Sequence, residues 1–162
     1  LPPEPTPADL IQQFQPALAL QGDAGRGQAI YRERCASCHR AGSEGKALGP
    51  DLVTVRTSGN DKLLACILDP NAEVAPQYIG FQVELRDGDT LSAIIANETP
   101  SHVTLRMGGG EERLVPRSQV LRMASSGGSL MPEGLASGLT AQSLADLIQF
   151  VSAAETPPVT KP

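Results

Sequence analysis

Tryptophan is absent, and two Tyr and three Phe are the only aromatic residues in 162. An aromatic-rich core is therefore excluded. A domain of this size with so little aromatic bulk gains if a large, flat, apolar group supplies part of its interior. No run of eighteen or more apolar residues occurs, so no stretch reads as a transmembrane helix. Positive charge is not in excess: 13 Lys and Arg against 18 Asp and Glu give a formal net charge of −5, which argues against a nucleic-acid footprint. No signal peptide is recognisable, and a start at Leu1 rather than Met reads as a mature or trimmed chain. The 40% hydrophobic and 19% charged content is that of a globular chain, with room for one domain with a core or for one domain carrying a substantial insertion.

Cysteine and histidine are scarce, with three Cys and two His, yet two of the cysteines and one histidine stand together in Cys35-Ala36-Ser37-Cys38-His39. This C-x-x-C-H form is that of a c-type haem attachment site. Thiols three residues apart share one face of a helical turn and reach the two vinyl groups along one haem edge. His39 then falls under the iron, where a neutral imidazole nitrogen serves as an axial ligand. Competing readings are weaker. A thioredoxin-like dithiol needs a βαβ context that is not found here. A structural zinc site needs four ligands, and Cys66 and His102 are unpaired and distant. Haem attachment in bacteria takes place outside the cytoplasm, so the motif predicts a periplasmic or exported location. Arg26, Arg32, Arg34, Arg40 and Lys46 surround it. The first reading of these charges is a solvated helix face, and the second is a docking patch for an acidic redox partner.

Proline-rich residues 1–7 read as a linker or tail, and Thr6-Pro7-Ala8-Asp9 as a helix start with Thr6 as N-cap. Pro16 breaks that helix, and residues 22–27 read as a flexible approach. A helix is predicted from about Gln28 to Cys38, with Gly27 small enough for close contact with another helix. The loop at Gly49-Pro50 follows, and the Pro50 carbonyl is placed to accept the imidazole N–H of His39, although a simple turn role also fits. A helix from Asn60 to about Leu68 carries Cys66, read as a small buried hydrophobe rather than a dimer-forming thiol. Period-two alternation then predicts strands at Tyr78 to Leu85, around Leu91 to Ile95, Val103 to Met107, Arg113 to Val115 and Val120 to Met123. Consecutive hairpins make an antiparallel meander, or a small barrel. Ser125 to Ser129 reads as loop. Thr140 caps a last amphipathic helix, and residues 156–162 read as a tail.

A second axial ligand is sought among Met107, Met123, Met131 and His102. Met107 and Met123 fall on strands and read as core, and His102 as a strand-start surface residue. Met131 stands apart because it lies in an irregular loop, followed by Pro132 and just before the last helix.

With Cys35, Cys38, His39 and Met131 assembled, the chain resembles class I cytochrome c. More closely, it resembles the Pirellula/Verrucomicrobium-type (PVC-type) putative haem-binding domain. The matching stretches are Pro16 to Leu20 with Gly22-Asp23, Cys35 to His39, Gly49 to Leu52, Ile67 to Asn71, Ser129 to Gly134 and Asp146 to Phe150. The resemblance implies an α+β fold: the helical class I cytochrome c domain over 8–155, with a β insertion at about 78–123. It also implies one covalent haem c, held by Cys35 and Cys38 and ligated by His39 and Met131, with Pro50 orienting His39 and Leu52 packing on the haem. The expected function is single-electron transfer between redox partners, a dehydrogenase or another carrier, with no chemical turnover by this chain. Two alternatives are a haem-based ligand-binding or sensor domain, and an interaction module that haem stabilises.

Overall fold

The computed structural model describes residues 3–156, so most of the predicted C-terminal tail and the first two residues of the N-terminal one lie outside the described residues. Among the described residues five α-helices and five strands follow one another: α1 (Pro7–Phe14), α2 (Ala24–Arg34), α3 (Leu52–Val55), α4 (Asn60–Leu68), then β1 (Ile79–Leu85), β2 (Thr90–Glu98), β3 (His102–Arg106), β4 (Glu112–Pro116) and β5 (Val120–Ser129), and last α5 (Ala141–Ala153). Among the described residues no helix is long and apolar enough to cross a membrane.

Local chemistry sets the helix starts. Thr6 and Asp9 form a reciprocal capping box on α1, with Pro7 in the first turn, as the sequence predicts. The start of α2 differs from the sequence expectation. Residues 24–27 are helical rather than a flexible approach, because the Asp23 carboxylate accepts the Arg26 N–H at 2.8 Å and caps the helix. The helix also stops sooner, at Arg34, so Cys35 to Cys38 lie in a turn beyond its end. That turn keeps helical bonding, with the His39 N–H donating to the Cys35 carbonyl at 2.9 Å. A second capping box, from Thr140 and Ser143, opens α5.

The helical core forms where α2 crosses α5. A Cβ added to Gly27 would lie 1.9 Å from the Asp146 carbonyl oxygen, and one on Gly22 would lie 2.1 Å from that of Ala145. Only glycine permits this approach of backbone to backbone. Tyr31, fully buried, stacks at 4.9 Å and 37° on Phe150, and Leu63, Leu64, Leu68, Leu144, Leu147, Ile148 and Val151 complete the core. Among the described residues Asp146 is the one buried charged residue, 3% exposed. Its carboxylate accepts from Arg26 Nε at 2.7 Å, from the Asp23 N–H at 2.7 Å and from Gln142 at 3.0 Å. The Arg26 hydrogen bond is the main reason its pKa falls to about 2.

A second core belongs to the sheet, whose strands lie in the order β4-β3-β2-β1-β5, all antiparallel. Val83, Leu85, Ala93, Val103, Leu105 and Val115 fill it, with Met107 and Met123 against them as the alternation predicts. β5 is longer than expected. Ser129 pairs with Ile79, and the ladder resumes at Ser125 opposite Phe81. Ser126 to Gly128 therefore bulge out across from Gly80, and Ser126 Oγ donates to the Gly80 carbonyl at 3.0 Å. The polar, glycine-bearing stretch that reads as loop is a strand with a bulge.

Replacing Asp146 by Ala is expected to lower unfolding stability by about 2 kcal/mol, since donors from Asp23, Arg26 and Gln142 lose a buried acceptor. Because the folded-state pKa is depressed, the contribution is full above about pH 4 and is lost as pH falls toward about 2. Urea unfolding of the native protein across that window should show stability falling with acid, and Asp146→Asn should flatten that slope.

Candidate haem and metal site

The turn after α2 is held from three sides. The buried Tyr31 hydroxyl donates to the His39 carbonyl at 2.7 Å. The Cys38 carbonyl accepts the N–H groups of Leu48 at 3.0 Å and Gly49 at 2.7 Å, which folds the following loop back over the turn. Gly109, in the tight turn between β3 and β4, donates its N–H to the Ser37 carbonyl at 2.8 Å, so the sheet grips the same segment from outside. Burial pushes the Tyr31 hydroxyl up to about 12 and the Cys35 thiol up to about 11, so both are protonated and uncharged at neutral pH.

His39 has a single orientation available. Its Nδ1 lies 2.7 Å from the Pro50 carbonyl oxygen, which can only accept, so Nδ1 carries the proton and Nε2 keeps its lone pair. Burial lowers the His39 pKa, against the opposing pull of the Pro50 bond, and favours neutral imidazole. The ring rests on Gly49, where a Cβ would meet Cε1 at 2.5 Å and Nδ1 at 2.9 Å. Gly49 was legible in the sequence only as a loop glycine, and its contact with the ring is invisible to periodicity.

These groups face a cavity of about 680 Å³, within the range of small-molecule and cofactor sites. Cys35, Cys38 and His39 line one wall with Leu48, Gly49, Pro50 and Leu52. Leu63, Cys66 and Ile67 of α4 line another, with Leu147 and Val151 of α5. Ile94 of β2 and Ser129, Leu130 and Met131 complete it from the sheet side. The structure thus brings all six predicted residues, Cys35, Cys38, His39, Pro50, Leu52 and Met131, to one cavity. Of the four candidates for a second ligand, Met131 is the one that lines it. Met107 and Met123 pack in the sheet, and His102 is paired through Nδ1 with Ser101 at 2.9 Å. Cys66 is half-buried on the cavity wall, with a thiol raised by burial.

Residues missed by the sequence reading include Ile94. It stands on the face opposite Ala93 and Ile95 and is nonetheless 4% exposed, because it faces the cavity rather than the sheet core. An isoleucine between Ser92 and Ala96 on the nominally polar face was the available signal. Arg26 and Arg32 are absorbed by Asp146 and Glu44, and Arg34 donates to the carbonyls of Leu135 at 2.6 Å and Ser137 at 2.8 Å. Three of the five cations around the motif are therefore intramolecular ties.

The donor set and shape fit a covalent haem. Two thiols share a turn, the imidazole tautomer is fixed with Nε2 unprotonated, and a thioether lines the same largely apolar cavity.

Gly49→Ala is expected to destabilise the protein by about 1–3 kcal/mol, the usual effect of overpacking. The His39 ring, not the backbone, has to move. Denaturant melts check the magnitude, and a shifted Nδ1–H resonance in the proton NMR spectrum checks that the Pro50 bond is the contact disturbed.

None of the curated proteins matches the chain. The family model described as Cytochrome c matches residues 24–155, from the first residue of α2 to just beyond the end of α5. Such membership implies covalently bound haem c and an electron-transfer role. The turn carrying Cys35 to His39, the crossing of α2 with α5 and the matched span agree, and the chain belongs to the cytochrome c family.

Proposed function

We propose that this chain is a monohaem c-type cytochrome that passes single electrons between redox partners. One haem is attached through Cys35 and Cys38 and ligated by His39 and Met131. The observation that carries the reading is the His39 Nδ1 to Pro50 bond at 2.7 Å in a cavity that Met131 also lines. A ring fixed through Nδ1 offers Nε2 as its one lone pair. Haem iron, when bound, supplies one-electron exchange, with a potential raised by His/Met ligation. The protein's own part is to tether the group at the turn, to orient His39 through Pro50 and Gly49, and to exclude water with Leu52, Leu63, Ile67, Ile94 and Leu147. Were His39 and Met131 both to hold the iron, no coordination site would be left for a substrate or a diatomic, which favours a carrier over an enzyme or sensor.

The sheet is read as an insertion in a class I cytochrome c helical fold, as in the PVC-type haem-binding domains, with the domain spanning 8–155. Ile94 in the cavity wall and Gly109 on Ser37 support a sheet that is part of the pocket, rather than an interaction module that haem merely stabilises. Location is read as periplasmic or exported, from the site of haem attachment. The partner is read as a dehydrogenase or another electron carrier.

Protein made with haem-attachment machinery is expected to gain the mass of one haem and to show a weak sulfur-to-iron band in its ferric spectrum. Met131→Ala should lose that band, lower the potential and let the ferrous protein bind carbon monoxide rapidly. An unmodified mass would end the haem reading, and rapid carbon monoxide binding by the native protein would end the closed-site carrier.

A further inference from the structure

Two segments distant in sequence meet around Met131. Asn71, in the turn that follows α4, accepts the Ser129 N–H through Oδ1 at 2.9 Å and donates from Nδ2 to Glu133 Oε1 at 2.9 Å. Its two partners lie two residues before and two residues after Met131. The Met131 N–H itself donates to Ser129 Oγ at 3.0 Å, so the methionine backbone hangs from the residue that Asn71 holds. The fit is close: a Cβ on Gly128 would lie 2.5 Å from Asn71 Oδ1. A side chain that accepts at one atom and donates at the next is needed to satisfy an N–H and a carboxylate together, and the amide of Asn does this without charge.

The clasp acts on the loop rather than on the fold. Ser129 is also paired with Ile79 in the sheet, and Arg34 holds Leu135 and Ser137 beyond the loop. Between these anchors, residues 130–134 have Asn71 as their tie to the α4 side of the cavity. Methionine is flexible, with three rotatable bonds, and a neutral thioether is a weak ligand, so where its backbone is held decides how often its sulfur is in reach. We propose that Asn71 is a positioning residue for Met131, keeping the thioether at the haem by fixing both ends of its loop. The proposal rests on the His39/Met131 reading above and adds the residue that makes Met131 competent.

The test uses the full chain with haem attached. Native protein, Asn71→Ala, Asn71→Asp, the double variant Asn71→Asp with Glu133→Gln, and Met131→Ala are compared. Three quantities are read: the ferric sulfur-to-iron band, the carbon monoxide binding rate of the ferrous protein, and the reduction potential. Asn71→Ala is expected to weaken the band, lower the potential and speed carbon monoxide binding roughly tenfold, a change equivalent to about 1.4 kcal/mol in Met131 attachment. The haem remains attached and the protein still melts cooperatively. Asn71→Asp still accepts from Ser129 but faces the Glu133 carboxylate, so it should loosen Met131 as well. Adding Glu133→Gln restores a donor opposite the new acceptor and should recover the band and the slow rate. If Asn71→Ala leaves all three readouts native, or if it abolishes folding while the rescuing pair does nothing, the positioning role is overturned. If native protein and Met131→Ala have the same spectrum, it is the Met131 reading that fails.

Discussion

The approach of α2 to α5, backbone against backbone at Gly27, is the constraint from which the rest of the helical half follows. With the Asp146 carbonyl 1.9 Å from where a Cβ would be, the two helices approach more closely than any side chain at this position would permit. Tyr31, one turn further along α2 on the same face, is then sealed between the helices against Phe150. Its hydroxyl can reach only what lies just past the helix end, and it donates to the His39 carbonyl. The crossing is therefore linked to the turn that carries Cys35 to His39 through Tyr31. Asp146 adds electrostatic weight to the same joint, since Arg26 and the Asp23 N–H come from the first turn of α2 and its cap.

The other wall of the cavity is built by the sheet, and β5 is the strand that matters most. It runs through a bulge to Ser129, where pairing with Ile79 ends, and Met131 lies two residues beyond. Gly80 of β1 leaves room for Leu130, whose Cδ2 would be 2.6 Å from a Cβ there. The strand register thus sets the height at which the methionine loop leaves the sheet. Gly109 on Ser37 and Arg106 on the Ala47 carbonyl at 3.3 Å tie the far end of the sheet back to the cysteine turn. His39 and Met131 come from opposite cores, and the sheet is bonded to both places.

Local signals made much of this readable in the sequence. Thr6 with Asp9 and Thr140 before a periodic run announce helix starts because capping is a matter of neighbouring residues. Alternation at Val83, Leu85, Val103 and Leu105 announces a one-sided sheet. C-x-x-C-H announces its chemistry by spacing. What escaped depends on contacts distant in sequence. Asp23 is the exception, a local cap three residues from Arg26 that Gly22, Gly25 and Gly27 disguise as loop; residues 125–129 read as loop because a strand without apolar residues is recognisable only from its partner, Ile79 to Phe81. Ile94 looks misplaced until a cavity lies on the other side of the sheet. Asn71 stands at the end of a stretch that carries the family resemblance, but the sequence assigns it no contact, since its two partners are about sixty positions away.

The distribution of charge around the cavity bears on its potential. Tyr31 and Cys35 are held protonated by burial, His39 is favoured as neutral imidazole, and Met131 has no charge to lose. Asp146, the one buried carboxylate among the described residues, lies at the helix crossing with its charge matched by Arg26, away from the cavity lining. Lys62 and Glu73 meet at the solvent-exposed rim and pair with each other. An apolar enclosure disfavours whichever form of a bound group carries more charge. On the proposed ligation that form is the oxidised iron, because two neutral ligands offset none of its positive charge. Enclosure and ligand set would therefore act in the same direction, toward the reduced state of a bound haem, with the half-buried Asp69 on the same lining acting against them.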